Sequence, residues 1–204
     1  HKLSGPLFLI VILHWLSFKS PITLGSPAGI WLSAMAALGV SAAFYKLLLY
    51  RFFSRHAEYC IEQVSPGPAA IRLVMRPINQ GIRFKAGQFA FLSIRERGLR
   101  EPHPFTIASA GGPEQSVEFL IRAFGDYTGR LVAQAQPGMH VEVYAPFGRF
   151  SRPTGSKREV WIAGGVGISP FMAWLKDDSV INPGQVSLFL FNTPGREFPV
   201  VDDV

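Results

Sequence analysis

Cysteine is nearly missing from this chain: Cys60 stands alone among 204 residues. One thiol cannot close an intrachain disulfide or by itself hold a metal, so Cys60 reads as a half-buried strand residue. Long basic runs are missing too. The formal charge of +6 arises from 20 Lys and Arg against 14 Asp and Glu, scattered along the chain. Without a basic stripe to track a phosphate backbone, nucleic acid is set aside as a partner. An initiator methionine is absent as well; the chain begins at His1 and is expected to be a piece of a longer protein.

What is present is an excess of apolar residues, 48% of the whole, concentrated in the first fifty positions. Leu3 to Phe18 carries no charge, and Lys19 ends it. Ile30 to Tyr45 is likewise uncharged and continues through Lys46 to Tyr50, with Arg51 following. A helix that spans a bilayer needs about 20 mostly apolar residues. The second segment reaches that length if Lys46 extends its ammonium to the headgroups. No small-residue cleavage site marks a signal peptide. Lys46, Arg51 and Arg55 cluster beyond the second segment, which places everything after Arg55 in the cytoplasm by the positive-inside rule. The expected location is therefore a membrane, crossed more than once.

His1 and His14 are the polar oddities of the first segment. Thirteen residues of helix separate them by about 20 Å, and Gly5-Pro6 between them permits a kink. An imidazole at membrane depth is costly and is a competent axial haem ligand. The competing reading makes His1 an interfacial terminus and His14 a polar contact near the outer headgroups. Both stand at this point.

After Arg55 the pattern changes to short alternating runs: 59–64, 70–75, 89–94, 117–122 and 141–144. Turn residues divide them at Pro66-Gly67-Pro68, Pro77, Gly111-Gly112-Pro113 and Pro137-Gly138. This spacing predicts an antiparallel sandwich or small barrel. A helix is expected near Thr128 to Ala135, with Asp126 as its cap. Gly87-Gln88 reads as a structural turn, and 95–101 as a solvated loop. Glu159 to Ala163 reads as a buried parallel strand, Gly164-Gly165-Val166-Gly167 as a loop that lets backbone approach a pyrophosphate, and Pro170 to Leu175 as the following helix. Val186 to Phe191 is a second strand. Arg196 after it is a candidate for a 2′-phosphate.

The succession Phe84-Lys85-Ala86-Gly87-Gln88-Phe89, His103-Pro104-Phe105-Thr106, Ile121-Arg122 with Gly125-Asp126-Tyr127-Thr128, Pro146-Phe147-Gly148 and Gly164 to Phe171 resembles the ferredoxin-reductase-like flavoproteins. With apolar helices in front, it is similar to their transmembrane branch, the ferric reductases and NADPH oxidases. The resemblance implies membrane α-helices over 1–55, an antiparallel β-barrel FAD domain over 56–153, and the start of an α/β NAD(P)-binding domain over 154–204. It implies a Thr106 hydroxyl near the flavin ring and a Phe105 face stacked on it, these two being the residues nearest the chemistry. His103, Pro104, Arg122, Gly125 and Thr128 are implied around the FAD phosphates and ring, Gly164, Gly165, Gly167 and Ser169 around the nucleotide, and His1 and His14 on the iron of haem b.

The implied activity is that of a membrane oxidoreductase. Electrons pass from NAD(P)H through FAD to b-type haem and on to ferric iron or oxygen. Two rivals are a membrane-anchored flavin reductase without haem and a non-catalytic truncated remnant. Three departures from the family pattern stand out. His103 replaces the arginine of many relatives, Ala145 replaces the glycine before Pro146, and one histidine pair is present where the family has two.

Overall fold

The computed structural model describes residues 4–17, 22–49, 56–68, 70–152, 158–177 and 186–195. The chain divides into two compact units between Ser54 and Arg55.

The first unit holds two helices, α1 (Ser4–Ser17) and α2 (Pro27–Phe44), the latter continued by a π-helical turn, Tyr45–Leu49. Ser26 starts α2: its Oγ accepts from the Gly29 N–H at 3.1 Å, and Pro27 fills the first position, where no N–H is needed. Gly39 lets the two helices approach, since a Cβ there would lie 2.7 Å from the Phe8 ring. Both helices expose large apolar side chains on all sides, including Leu7, Ile10, Val11, Ile30, Trp31 and Leu38. Such a surface belongs in a protein core or in lipid. Among the described residues α2 alone is long and apolar enough to cross a membrane. The expectation of two spanning segments is thus met by one. The α1 helix has 14 residues, short of the required length, and Leu3 and Phe18 lie outside the described residues.

The second unit opens with six antiparallel strands: β1 (His56–Pro66), β2 (Ala70–Pro77), β3 (Phe89–Ile94), β4 (His103–Thr106), β5 (Val117–Arg122) and β6 (His140–Phe147). Their order is β4-β3-β6-β1-β2-β5. The two edge strands meet where Ile107 bridges Phe119 and the Ala108 N–H donates to the Glu118 carbonyl at 2.8 Å. The sheet is therefore a nearly closed barrel. Tyr59, Ile61, Leu73, Met75, Leu92, Phe119 and Val143 fill it, together with Leu131 from helix α3 (Asp126–Gln134).

The loop 95–101 departs from a simple solvated turn. Leu99 is wholly buried, and Arg95 binds the Glu58 and Glu142 carboxylates. These two anchors hold the approach to β4.

Beyond the barrel, β7 (Glu159–Gly164) runs parallel to β8 (Val186–Phe191). Between them lie a 3-10 turn, Gly165–Ile168, and helix α4 (Ser169–Leu175). Trp161, Ala163, Ile168, Phe171, Met172 and Trp174 form a second core with Ala70, Ala108 and Leu120 of the barrel. β7 is not buried on both faces as expected. Val160 and Ile162, with Phe189 and Phe191 on β8, are each more than half exposed, because helix α4 covers only the other face.

Candidate functional site

The strand carrying His103 to Thr106 is an edge of the barrel sheet, paired with β3 on one side only. Its open side is met by the start of α3. The His103 ring stacks on Tyr127 at 3.6 Å between centroids, with 14° between planes. That contact unites two motifs 24 residues apart in sequence. Tyr127 is buried, donates its hydroxyl to the Leu99 carbonyl at 3.2 Å, and has its pKa pushed up to about 12, by burial first and by Glu101 second. It thus remains a neutral donor throughout the ordinary pH range.

His103 Nδ1 lies 2.8 Å from the Glu101 carbonyl. A carbonyl only accepts, so Nδ1 carries a proton, and neutral His103 presents a lone pair at Nε2. The ring can donate to a phosphate through Nε2 only as imidazolium.

The N-terminus of α3 has no side-chain cap. Gly125 occupies the cap position, and a Cβ there would meet nothing within 4 Å. Asp126 is the first helical residue rather than the cap. Thr128 turns its Oγ1 inward on the backbone, accepting from the N–H groups of Phe124 at 2.9 Å and Gly125 at 3.0 Å and donating to the Gly125 carbonyl at 3.3 Å. Its hydroxyl therefore shapes the turn. The donors left to an incoming anion are main-chain N–H groups of the first helical turn. Arg122, at the end of β5, has no ion-pair partner among the described residues. Phe124 between them is 89% exposed. Nothing in the sequence patterning singled it out beyond an aromatic residue in a polar loop.

Phe105 and Thr106 are half-buried, Phe105 resting partly on the barrel core, while Pro104 is exposed. Two residues beyond Thr106, Ala108 is buried in the same cluster as Ile168. The strand end and the glycine loop are thereby packed together. In that loop Gly165 has φ +53°, a left-handed backbone that favours glycine. Added Cβ atoms at Gly164 and Gly167 would meet nothing within 4 Å, so the space beside both is open. Ser169 is buried, and its Oγ donates to the Val166 carbonyl at 2.7 Å, closing the turn on itself.

His14 sits in the last turn of α1 and is exposed within this chain. His1 and Arg196 lie outside the described residues. No cluster of three or more metal-ligating side chains occurs among the described residues.

An uncapped helix start, an unpaired arginine, a protruding aromatic ring and an open glycine loop fit a ligand with phosphates and flat rings. Comparison with known proteins agrees. Residues 64–160 match a family described as an FAD-binding domain. NADPH oxidase 1 of Rattus norvegicus is 30% identical over 166 residues, 78% of this chain and 28% of that protein. This is an NADPH oxidase/ferric reductase-like FAD/NAD module. Two solved structures share its fold, each with a TM-score of 0.64. One is a ferredoxin reductase in carbazole 1,9a-dioxygenase, at 22% identity over 74% of this chain and 47% of that one. The other is the flavohem-like FAD/NAD-binding domain of nitric oxide dioxygenase from Vibrio cholerae, at 18% identity over 72% and 67%. The chain spans just over a quarter of the length of the rat oxidase. The oxidase-like module is thus held against proteins that reach well beyond it.

Proposed function

We propose that this chain forms part of a membrane oxidoreductase that draws electrons from NAD(P)H through FAD to b-type haem, with ferric iron or oxygen as final acceptor. Its parts are a membrane segment at 1–55, a flavin barrel at 56–153 and a nucleotide unit at 154–204, the last two on the cytoplasmic side. The observation that carries the reading is the His103–Tyr127 stack, which sets the strand 103–106 against the open start of α3 beside Arg122.

Bound flavin supplies the conversion of a two-electron hydride donor into single-electron transfers. The chain's own residues bind and orient. Arg122 offers a planar fork to a phosphate, and the first N–H groups of α3 add aligned dipoles. Phe105 and Thr106 present an aromatic face and a hydroxyl to the ring system, with His103 and Pro104 shaping the approach. Gly125 leaves the room a bulky ligand needs. Gly164, Gly165 and Gly167 admit the nucleotide's pyrophosphate to the backbone, while Ser169 holds the loop's shape. His1 and His14 are the iron ligands this reading assigns.

Removing the Arg122 fork removes charge-assisted hydrogen bonds, so Arg122→Leu should weaken FAD binding by about 2 kcal/mol, roughly thirtyfold. Titration of purified protein with FAD, followed by flavin fluorescence, measures this; unchanged affinity overturns the assignment. A visible spectrum of the haem-supplemented whole protein tests the rest. Flavin absorbance without a Soret band sinks the haem step and leaves a haem-free flavin reductase.

A further inference from the structure

A second cluster of unused chemistry lies at the start of β3, the strand paired with 103–106. A cavity of about 540 Å³ opens between the connection that precedes β3 and the one that follows β6, lined by Arg83, Phe84, Lys85, Gly148, Arg149 and Phe150 among others. Its charged lining residues are all cations, and all three are exposed. None has an ion-pair partner among the described residues, whereas Arg72, Arg76, Arg95, Arg152 and Lys176 each hold a carboxylate.

The two walls are fastened together. Gln88 accepts from the Lys85 N–H at 2.8 Å and donates its amide to the Gly148 carbonyl at 3.1 Å. Gly87, at φ +95°, lies so close to the second wall that a Cβ would stand 2.1 Å from the Phe150 carbonyl oxygen. Trp174 donates to the Ala86 carbonyl at 3.2 Å. The cations are therefore presented on a preset rim, and Phe150, 53% exposed, adds an aromatic edge to it.

A neighbouring recess is lined by His56, Ala57, Arg83 and Pro146. His56 is the first residue of β1, and only residues 50–55 separate it in sequence from the end of the apolar helical segment at Leu49. The chain thus enters the barrel at the rim that bears the unpaired cations. Cations with an adjoining aromatic, directly after a membrane segment, have the composition of a surface that meets anionic headgroups.

We propose that Arg83, Lys85 and Arg149 form a docking site for the phosphate-bearing headgroup of an anionic membrane lipid. The proposal rests on the membrane reading above. It uses none of the residues assigned to flavin, nucleotide or haem.

The test places the full chain in nanodiscs of phosphatidylcholine alone or with phosphatidylserine and follows amide hydrogen exchange of 82–88 and 148–151. Each cation contributes about fivefold, so exchange should slow on the order of a hundredfold at most in the anionic discs. High salt and the combined variant R83Q/K85Q/R149Q should abolish that protection, and R83K/R149K should retain it. Equal exchange in the two discs overturns the proposal. So does equal protection by millimolar inorganic phosphate in neutral discs, which marks a soluble-anion site. Protection that survives the glutamine variant also overturns it. Flavin absorbance of the same samples is a separate readout. A chain without flavin that still shows anionic protection defeats the flavin assignment and leaves the lipid site standing.

Discussion

The barrel and the parallel pair β7–β8 bury their strands by different means. β5 is buried at five consecutive positions, Val117 to Ile121, because the barrel interior takes one face and the second core with α4 takes part of the other. β7 alternates strictly, with Trp161 and Ala163 inside and Val160 and Ile162 outside. A closed antiparallel sheet completes its own core, while a parallel pair depends on helices laid over it. Among the described residues only one of its faces has such cover. Backbone pairing joins the two strands, and side-chain ties fasten β7 to Arg152 ahead of it: Arg152 pairs with Glu159 at 2.9 Å, and the Trp161 indole donates to the same carboxylate at 2.8 Å. The guanidinium also lies 5.5 Å from the Trp161 ring centroid.

The sharpest way to break this contrast is a cavity in the barrel. Phe119→Ala removes a fully buried ring and should cost about 4 kcal/mol, read as a lowered urea midpoint together with faster exchange of β2 and β5 amides. Next in size is Arg152→Ala. Both side chains of its pair are less than a tenth exposed, and Glu159 would keep only the Trp161 N–H, so the change should cost about 2 kcal/mol. Exchange should quicken in β7 and β8 and stay slow in the barrel; uniform quickening would show that the two parts unfold as one.

The same pair predicts a pH effect. Arg152 first, and the Trp161 N–H after it, hold the Glu159 carboxyl below its ordinary value of 4.5. A depressed folded value contributes stability in full above the unfolded pKa and loses it as pH falls through the folded one. β7 and β8 amides should therefore exchange faster below about pH 4, and Arg152→Ala should flatten that dependence. The smallest effect belongs to the open face, where Phe189→Ser should change stability by no more than about 0.5 kcal/mol. A larger loss would mean that this face is covered.

How much of this was readable beforehand depends on the range of the forces involved. The short runs Phe89–Ile94 and Val117–Arg122 mark both strands to the residue, although β5 is buried at five consecutive positions rather than alternately. β1 runs three residues earlier and two later than its pattern suggests. Its ends are fixed by backbone pairing of His56 with Tyr144 and Pro66 with Ile71, across a bulge between Ile61 and Gln63. Motif order pointed to the strand 103–106 and the helix start, but not to the ring stack that joins them, which needs the two in space. Thr128 shows a limit of another kind. A hydroxyl in the first turn of a helix is visible in sequence, but whether it serves a ligand or its own backbone is decided by a rotamer. Leu99, one apolar residue in a charged loop, gave no periodic signal at all.

The Gln88 clamp and the Phe150 carbonyl against Gly87 have a kinematic consequence. The link from β6 to β7 cannot flex at its first residues, because Gly148 is tied and Phe150 rests on a wall without side-chain compliance. Trp174 pins α4 to the same wall. The approach of β7 and β8 to the barrel is therefore set at three points, Gly148, Phe150 and Trp174. Gly87 sets how closely the two connections meet by the size it lacks.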